Sequence, residues 1–224
     1  MATMPSLSAH GQPDDAATAR PAWTASAAGR ALLQGELESV LAALGERPGQ
    51  PWLWLCPASA AAEVPGCGLR LQAGLDGWTG DVRCALPLPL ANESVAAVVL
   101  QHVETRGAEA DALVQECARV LVPGGRLVLY ALNPLSPWRW RWAGAAARST
   151  EPMPWRRRMR AAGLVPDPVS QGVGPRWQLG AEPGLQHGLG IRAAWMLRAE
   201  KRAIPLTPVR QRTRLRIGGG VPAA

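Results

Sequence analysis

The chain has 224 residues but no Phe, one Tyr and a single Lys against 23 Arg. Aromatic packing therefore falls almost wholly to ten Trp, and positive charge to guanidinium groups. No run of 18 uncharged apolar residues exists, which argues against a membrane-crossing helix. The first residues, MATMPSLSAHGQPDDAATARPAW, have no basic start leading into an apolar segment, so no secretory signal is expected. A cytoplasmic location follows from that reading, and with it reduced thiols. Cys56, Cys67, Cys84 and Cys117 form no CxxC pair, which disfavours structural zinc and suggests buried apolar thiols; no metal is expected. No GxGxxG follows the first expected strand, so a nicotinamide-dependent oxidoreductase ranks low. There is no internal repeat.

What is present suits one domain with a real core: 47% of the residues are apolar. A tail rich in Ala, Ser, Pro and Asp, residues 1–28, is expected to be disordered, and a basic tail, residues 203–224, to be flexible. The domain between them spans 29–202. Charge is unevenly spread. Residues 1–125 carry 7 basic and 13 acidic side chains, whereas residues 126–224 carry 17 basic and 4 acidic. A cationic half of this kind either meets an anionic surface or nucleic acid, or is simply a solvated Arg-rich exterior.

Helical spacing of Leu33, Leu37, Val40, Leu41 and Leu44 predicts a helix over 30–44, ended by Gly45 and Pro48. The apolar run 51–56 reads as a buried parallel strand. Weaker strands are expected at 69–75 and 81–86, the latter closed by Pro87 and Pro89. The clearest strand is 95–101. A helix over 108–121 follows, with Glu109 and Asp111 in its first turn. Pro123-Gly124-Gly125 then turns the chain into a buried strand at 126–132. A short helix at 154–163, an irregular strand at 165–173 and a last strand at 191–199 complete the expected elements. Alternating strands and helices predict an α/β fold, a doubly wound and mostly parallel sheet.

The segment from Leu88 to Trp142, with LPLANES, VAAVVLQHVE and ECARVLVPGGRLVLY in order, resembles the second half of class I S-adenosylmethionine-dependent methyltransferases, above all the type 11 group. Asn133-Pro134-Leu135-Ser136 and the string LRAEKRAIPLTP (Leu197 to Pro208) resemble a proteobacterial type 11-like branch with a divergent first motif. The resemblance covers about Trp52 to Lys201. It implies a seven-stranded Rossmann-like sheet with an antiparallel last strand, S-adenosylmethionine as cofactor and an unidentified methyl acceptor.

By that resemblance the first strand-to-helix turn holds the cofactor. The family has glycines there, because a Cβ collides with the ligand. This chain has Leu55, Cys56, Pro57 and Ala58, with GCG at Gly66 to Gly68 as another anchor. Asp76 is the candidate for the ribose hydroxyls, or else an Asp-Gly turn. Cys84 stands where an adenine-binding Asp is usual, with Ala85 and Leu86 beside it to pack on the base. Gln101 and His102 end strand 95–101, where open α/β sheets bind ligands. His102 is either a general base or a partner-satisfied cap. Asn133 either contacts substrate or makes an Asx turn with Pro134.

Trp138, Trp140 and Trp142 interleave with Arg139 and Arg141, and Arg156, Arg157, Arg158 and Arg160 follow. They suit bases and phosphates or a membrane interface, or pack as an ordinary helical stripe. Two functions stand after this reading. One is a methyltransferase of unknown acceptor, with His102 and Asn133 catalytic. The other is a catalytically inactive relic of that fold, binding an acidic partner, RNA or membrane through its Arg/Trp-rich half.

Overall fold

The computed structural model describes residues 23–60, 62–74, 77–105, 107–141, 149–176 and 192–202. A short 3-10 helix, Trp23–Ala25, leads into α1 (Ala27–Leu44), β1 (Trp52–Cys56), β2 (Gly68–Gly74), β3 (Gly77–Gly80), β4 (Val95–Gln101), α2 (Gly107–Val120) and β5 (Leu121–Leu132). Then come α3 (Trp138–Arg141), α4 (Pro152–Ala161), β6 (Leu164–Pro166), β7 (Gln171–Arg176) and β8 (Arg192–Lys201). The sheet order is β3-β2-β1-β4-β5-β8-β6, with β7 also on β8. Strands β2, β1, β4 and β5 run parallel; β8 is antiparallel to β5.

The central strands read as unbroken apolar runs because both faces are covered. Leu53 and Leu55 of β1, Val98 and Leu100 of β4, and Leu127 and Leu129 of β5 pack with Leu113 and Cys117 of α2 and with Trp155 and Met159 of α4. Their neighbours in the pleat, Trp52, Trp54, Ala97, Val99, Val128 and Tyr130, pack with Leu33, Val40 and Leu44 of α1. Helix α1 starts earlier than its apolar spacing suggests, because Ser26 caps it by accepting from the Gly29 amide at 3.0 Å. Trp23, inside the segment expected to be disordered, is buried in a cluster with Leu32, Leu132 and Trp138. Residues 1–22 and 203–224, most of both expected tails, lie outside the described residues.

Three expectations about elements change. The third strand is not 81–86 but 77–80, and it pairs antiparallel with β2. Gly77 (φ 130°) and Gly80 (φ 138°) adopt conformations that other residues resist. Residues 81–86 instead form a loop joined to β3 through a bridge between Cys84 and Trp78. No helix lies among the described residues between β1 and β2, although a parallel pair is usually joined by one. The irregular strand at 165–173 divides into β6 and β7, both antiparallel to β8. At the Pro-Gly-Gly turn, Val95 pairs with Leu121 and Ala97 with Arg126, so residues 122–125 bulge out, with Gly124 at φ 74°.

Candidate functional site

Strand order reverses between β1 and β4, and the carboxyl ends of those strands face α1. In an open α/β sheet that crevice is the place for a ligand. Gln101 ends β4 and is buried; His102 follows with φ 49°, a left-handed conformation that is strained outside glycine. Its amide still donates to the Tyr130 carbonyl of β5 at 2.9 Å.

The side chains meet a carboxylate that sequence reasoning missed. Glu36 lies in the buried stripe of α1 with Leu32, Leu33, Val40 and Leu44. His102 Nε2 is 3.0 Å from Glu36 Oε1 and 2.9 Å from Oε2. Gln101 Nε2 donates to Glu36 Oε2 at 2.9 Å, and Trp54 Nε1 donates to Gln101 Oε1 at 3.2 Å. The His102 and Glu36 side chains are 2% and 0% exposed. An isolated buried carboxylate is costly, so these donors are what keep Glu36 in place. The Trp23 ring meets the His102 ring edge-on at a centroid distance of 5.0 Å. On the same face Tyr130 shares a 2.8 Å hydrogen bond with Ser39; burial pushes its phenol up to about 12, against the lowering effect of that bond.

Two small cavities flank the network. One of about 170 Å³ is lined by Arg30, Leu33, Gln34, Trp54, Ser59 and Gln101. The other, about 20 Å³, is lined by Trp23, His102, Thr105, Leu132 and Thr150 among others. Ser59 Oγ, His102 Nδ1 and Thr105 Oγ1 are buried polar atoms with no hydrogen-bond partner. Unpaired buried polar atoms are rare and costly, and three of them border this edge.

The other expected site residues are placed as follows. The Leu55 side chain is in the core against α2, so only its backbone can face the edge. Pro57 and Ala58 belong to a turn closed by the Ala60 amide on the Pro57 carbonyl at 2.9 Å. Asp76 lies outside the described residues. Cys84, Ala85 and Leu86 lie beyond β3 at the sheet's edge, because Cys84 exchanges backbone hydrogen bonds of 2.7 and 2.9 Å with Trp78; they are not gathered with Gln101. Asn133 donates to the Arg192 carbonyl at 3.1 Å and accepts from the Leu135 amide at 3.0 Å, the Asx turn. Of the GCG anchor, Gly68 sits under the Trp52 ring, where a Cβ would come within 2.1 Å of it. That glycine serves strand packing. Trp138 is buried and Trp140 is exposed; Trp142 lies outside the described residues.

Residues 71–129 match the family described as methyltransferase domain. The fold is that of the class I S-adenosylmethionine-dependent methyltransferases. A methyltransferase of this kind from Archaeoglobus fulgidus superposes with a TM-score of 0.53 at 8% identity, covering 75% of this chain and 92% of that one. One from Listeria monocytogenes gives 0.51 at 10% identity, over 78% and 100%. A geranyl diphosphate methyltransferase solved with GPP and sinefungin gives 0.51 at 21% identity, over 75% and 78%. No protein of curated function matches the sequence.

The edge fits one part of that cofactor well. An α-amino acid presents a carboxylate and an ammonium, and the larger cavity offers the Arg30 guanidinium, the Gln34 amide and the unpartnered Ser59 hydroxyl. The nucleoside part finds less. Pro57 and Ala58 replace the glycines of the turn, and about 170 Å³ is below the roughly 300 Å³ at which small-molecule pockets begin.

Proposed function

We propose that the protein is a cytoplasmic S-adenosylmethionine-dependent methyltransferase. The observation that carries this reading is the cluster of Glu36, Gln101, His102 and Ser59 at the switch point of a methyltransferase fold. When bound, the cofactor supplies an electrophilic methyl group on a sulfonium. The chain's own part is alignment and exclusion of water, since in-line displacement needs the reacting atoms held about 3–3.5 Å apart. Arg30, Gln34 and Ser59 would hold the amino-acid arm, and the turn at Leu55, Pro57 and Ala58 would carry the nucleoside. Asp76 is kept as the ribose ligand. Cys84, Ala85 and Leu86 remain adenine contacts only if their loop moves in from the sheet edge. Gln101 acts through Glu36, because both ends of its amide are engaged. His102 faces the acceptor, and Asn133 shapes the mouth through its turn. The catalytic domain under this reading runs from Trp23 to about Arg202.

Isothermal titration with S-adenosylmethionine and S-adenosylhomocysteine tests the proposal. Saturable binding below millimolar is expected. No heat and no thermal shift at millimolar ligand would reject it.

A second reading rests on the lack of a helix among the described residues between β1 and β2 and on the cationic half. In it the domain keeps the fold without catalysis and binds an anionic surface or nucleic acid. Gel-shift with RNA and co-sedimentation with anionic vesicles, each at two salt concentrations, separate the two readings. No binding at low salt removes the second.

A further inference from the structure

We infer that the outward face of α4 is a docking surface for an anionic lipid bilayer. The inference rests on the anionic-surface reading, narrows it to one helix and one partner, and needs no cofactor. Helix α4, PMPWRRRMRA over Pro152–Ala161, buries Trp155 and Met159 in the core it shares with α2. Residues three and four apart share a helix face, so the opposite side presents Met153, Arg157 and Arg160, all exposed. The helix holds four arginines and no acid.

What each guanidinium touches sets the charge of this face. Arg158 turns to one side, where it donates to Asp111 of α2 at 2.8 Å and lies over the Trp155 ring at 5.5 Å. Arg156 turns to the other and donates through Nε to the Asp167 carbonyl at 3.2 Å, while its Nη2 is left without an acceptor. Among the described residues no carboxylate pairs with Arg157 or Arg160. This side of the helix is therefore short of acceptor oxygens. Headgroup phosphates supply them, in the forked geometry that a guanidinium takes best.

Two exposed apolar side chains stand beside the arginines. Met153 is 52% exposed in the first turn of α4. Val169 is 72% exposed, two residues beyond the Asp167 carbonyl that Arg156 holds. A cationic helix face with apolar tips suits a bilayer interface: charge draws it to the headgroups, and the tips enter the acyl boundary. Nucleic acid fits less well. Single strands stack their bases on aromatic rings, but Trp155 is 2% exposed, and Met and Val offer no ring. The groove on the α2 side of the helix carries Asp111 as well as Arg157 and Arg158, and a carboxylate there opposes a phosphate chain.

Co-sedimentation of the full chain with vesicles tests this, comparing phosphatidylcholine alone with phosphatidylcholine containing phosphatidylglycerol. Binding only to the phosphatidylglycerol vesicles is expected, weakening as salt rises. An arginine at an anionic surface contributes about fivefold in partitioning, so Arg157→Gln and Arg160→Gln should each weaken binding about fivefold and together about 25-fold. Arg83→Gln removes the same charge beyond β3, at the opposite end of the sheet order from β6, on which α4 packs, and should change binding less than about twofold. Met153→Ser should weaken binding by a factor that salt does not alter, since apolar burial is not screened. These side chains are exposed, so the variants should unfold at the same urea midpoint as the unaltered chain. Equal binding to the two vesicle types, an Arg157→Gln/Arg160→Gln chain that binds as well as the unaltered one, or an equal loss in Arg83→Gln would each overturn the inference. The last two would leave the wider anionic-surface reading standing. Binding to single-stranded RNA with none to vesicles would overturn it in favour of nucleic acid. No binding to either at low salt removes the inference together with the anionic-surface reading, whereas cofactor titration decides the methyltransferase reading separately.

Discussion

The indole nitrogen of Trp54 on β1 and the amide oxygen of Gln101 on β4 are hydrogen-bonded at 3.2 Å across neighbouring parallel strands. The other end of the same amide holds Glu36. Gln101→Leu therefore leaves the Trp54 indole N–H without a partner inside the core and takes from Glu36 Oε2 one of its two neighbours, the other being His102 Nε2. A loss of roughly 1–3 kcal/mol for the stranded indole is expected from urea unfolding. A loss under about 0.5 kcal/mol would mean the network is not formed in solution.

Glu116 ties α2 to the loop before β4. Its carboxylate accepts from Arg119 at 2.6 and 2.8 Å and from the Leu88 amide at 2.7 Å. The Arg119 hydrogen bond is the main cause holding its carboxyl below the ordinary 4.5; the Leu88 amide helps and burial opposes. A depressed folded-state value means stability that is present above pH 4.5 and is lost as pH falls through that folded value. Glu116→Gln should thus cost most at neutral pH, on the order of 1.5–3 kcal/mol for a hydrogen bond to a charged group. The gap between the two proteins should close in acid. Denaturant titrations at pH 7 and pH 3 check the sign, and an equal gap at both would contradict it.

The four thiols should react in a set order. Cys67 is exposed, Cys84 half-buried, and Cys56 and Cys117 buried. Burial pushes the Cys56 and Cys117 thiols up to about 12, and that of Cys84 upward from 9.0. Since the thiolate is the reactive form, iodoacetamide on the native protein should label Cys67 first, Cys84 slowly, and the other two only after unfolding. Mass spectrometry reads the order directly; early labelling of Cys117 would show that α2 is not packed as described.

Gly68 decides between a ligand loop and a packing device. Its hydrogens face the Trp52 ring, and a Cβ there would overlap three ring atoms. Gly68→Ala should cost about 1–3 kcal/mol, as overpacked cores do. It should leave cofactor affinity unchanged in whatever fraction stays folded. Weaker binding with unaltered stability would restore the glycine motif to the cofactor.

The unit β4–α2–β5 was legible in the sequence because every cue agreed: an apolar run, a helix with its charges in the favoured turn, and a Pro-Gly-Gly break. Strand 77–80 was hidden because two glycines and a Trp carry little alternation, whereas the more apolar 81–86 drew the assignment. Position 36 was readable but was passed over. In LLQGELES a glutamate falls at the period of Leu33 and Val40, on the face that goes inside. A charge there announces a buried partner, and His102 with its neighbour Gln101 is that partner. Nothing local could have shown the missing helix between β1 and β2, since that is a fact about connection rather than composition.

That short connection also bears on the order of assembly. Trp52 finds Gly68 through a brief link with no helix among its described residues, whereas its other partner, Ala97, lies much farther along the chain. Closing a loop costs entropy that grows with the logarithm of its length, about 0.6 kcal/mol for each doubling. The β1–β2–β3 corner is thus the cheaper contact to close, and setting β1 beside β4, the contact that creates the crevice, carries the larger entropic cost.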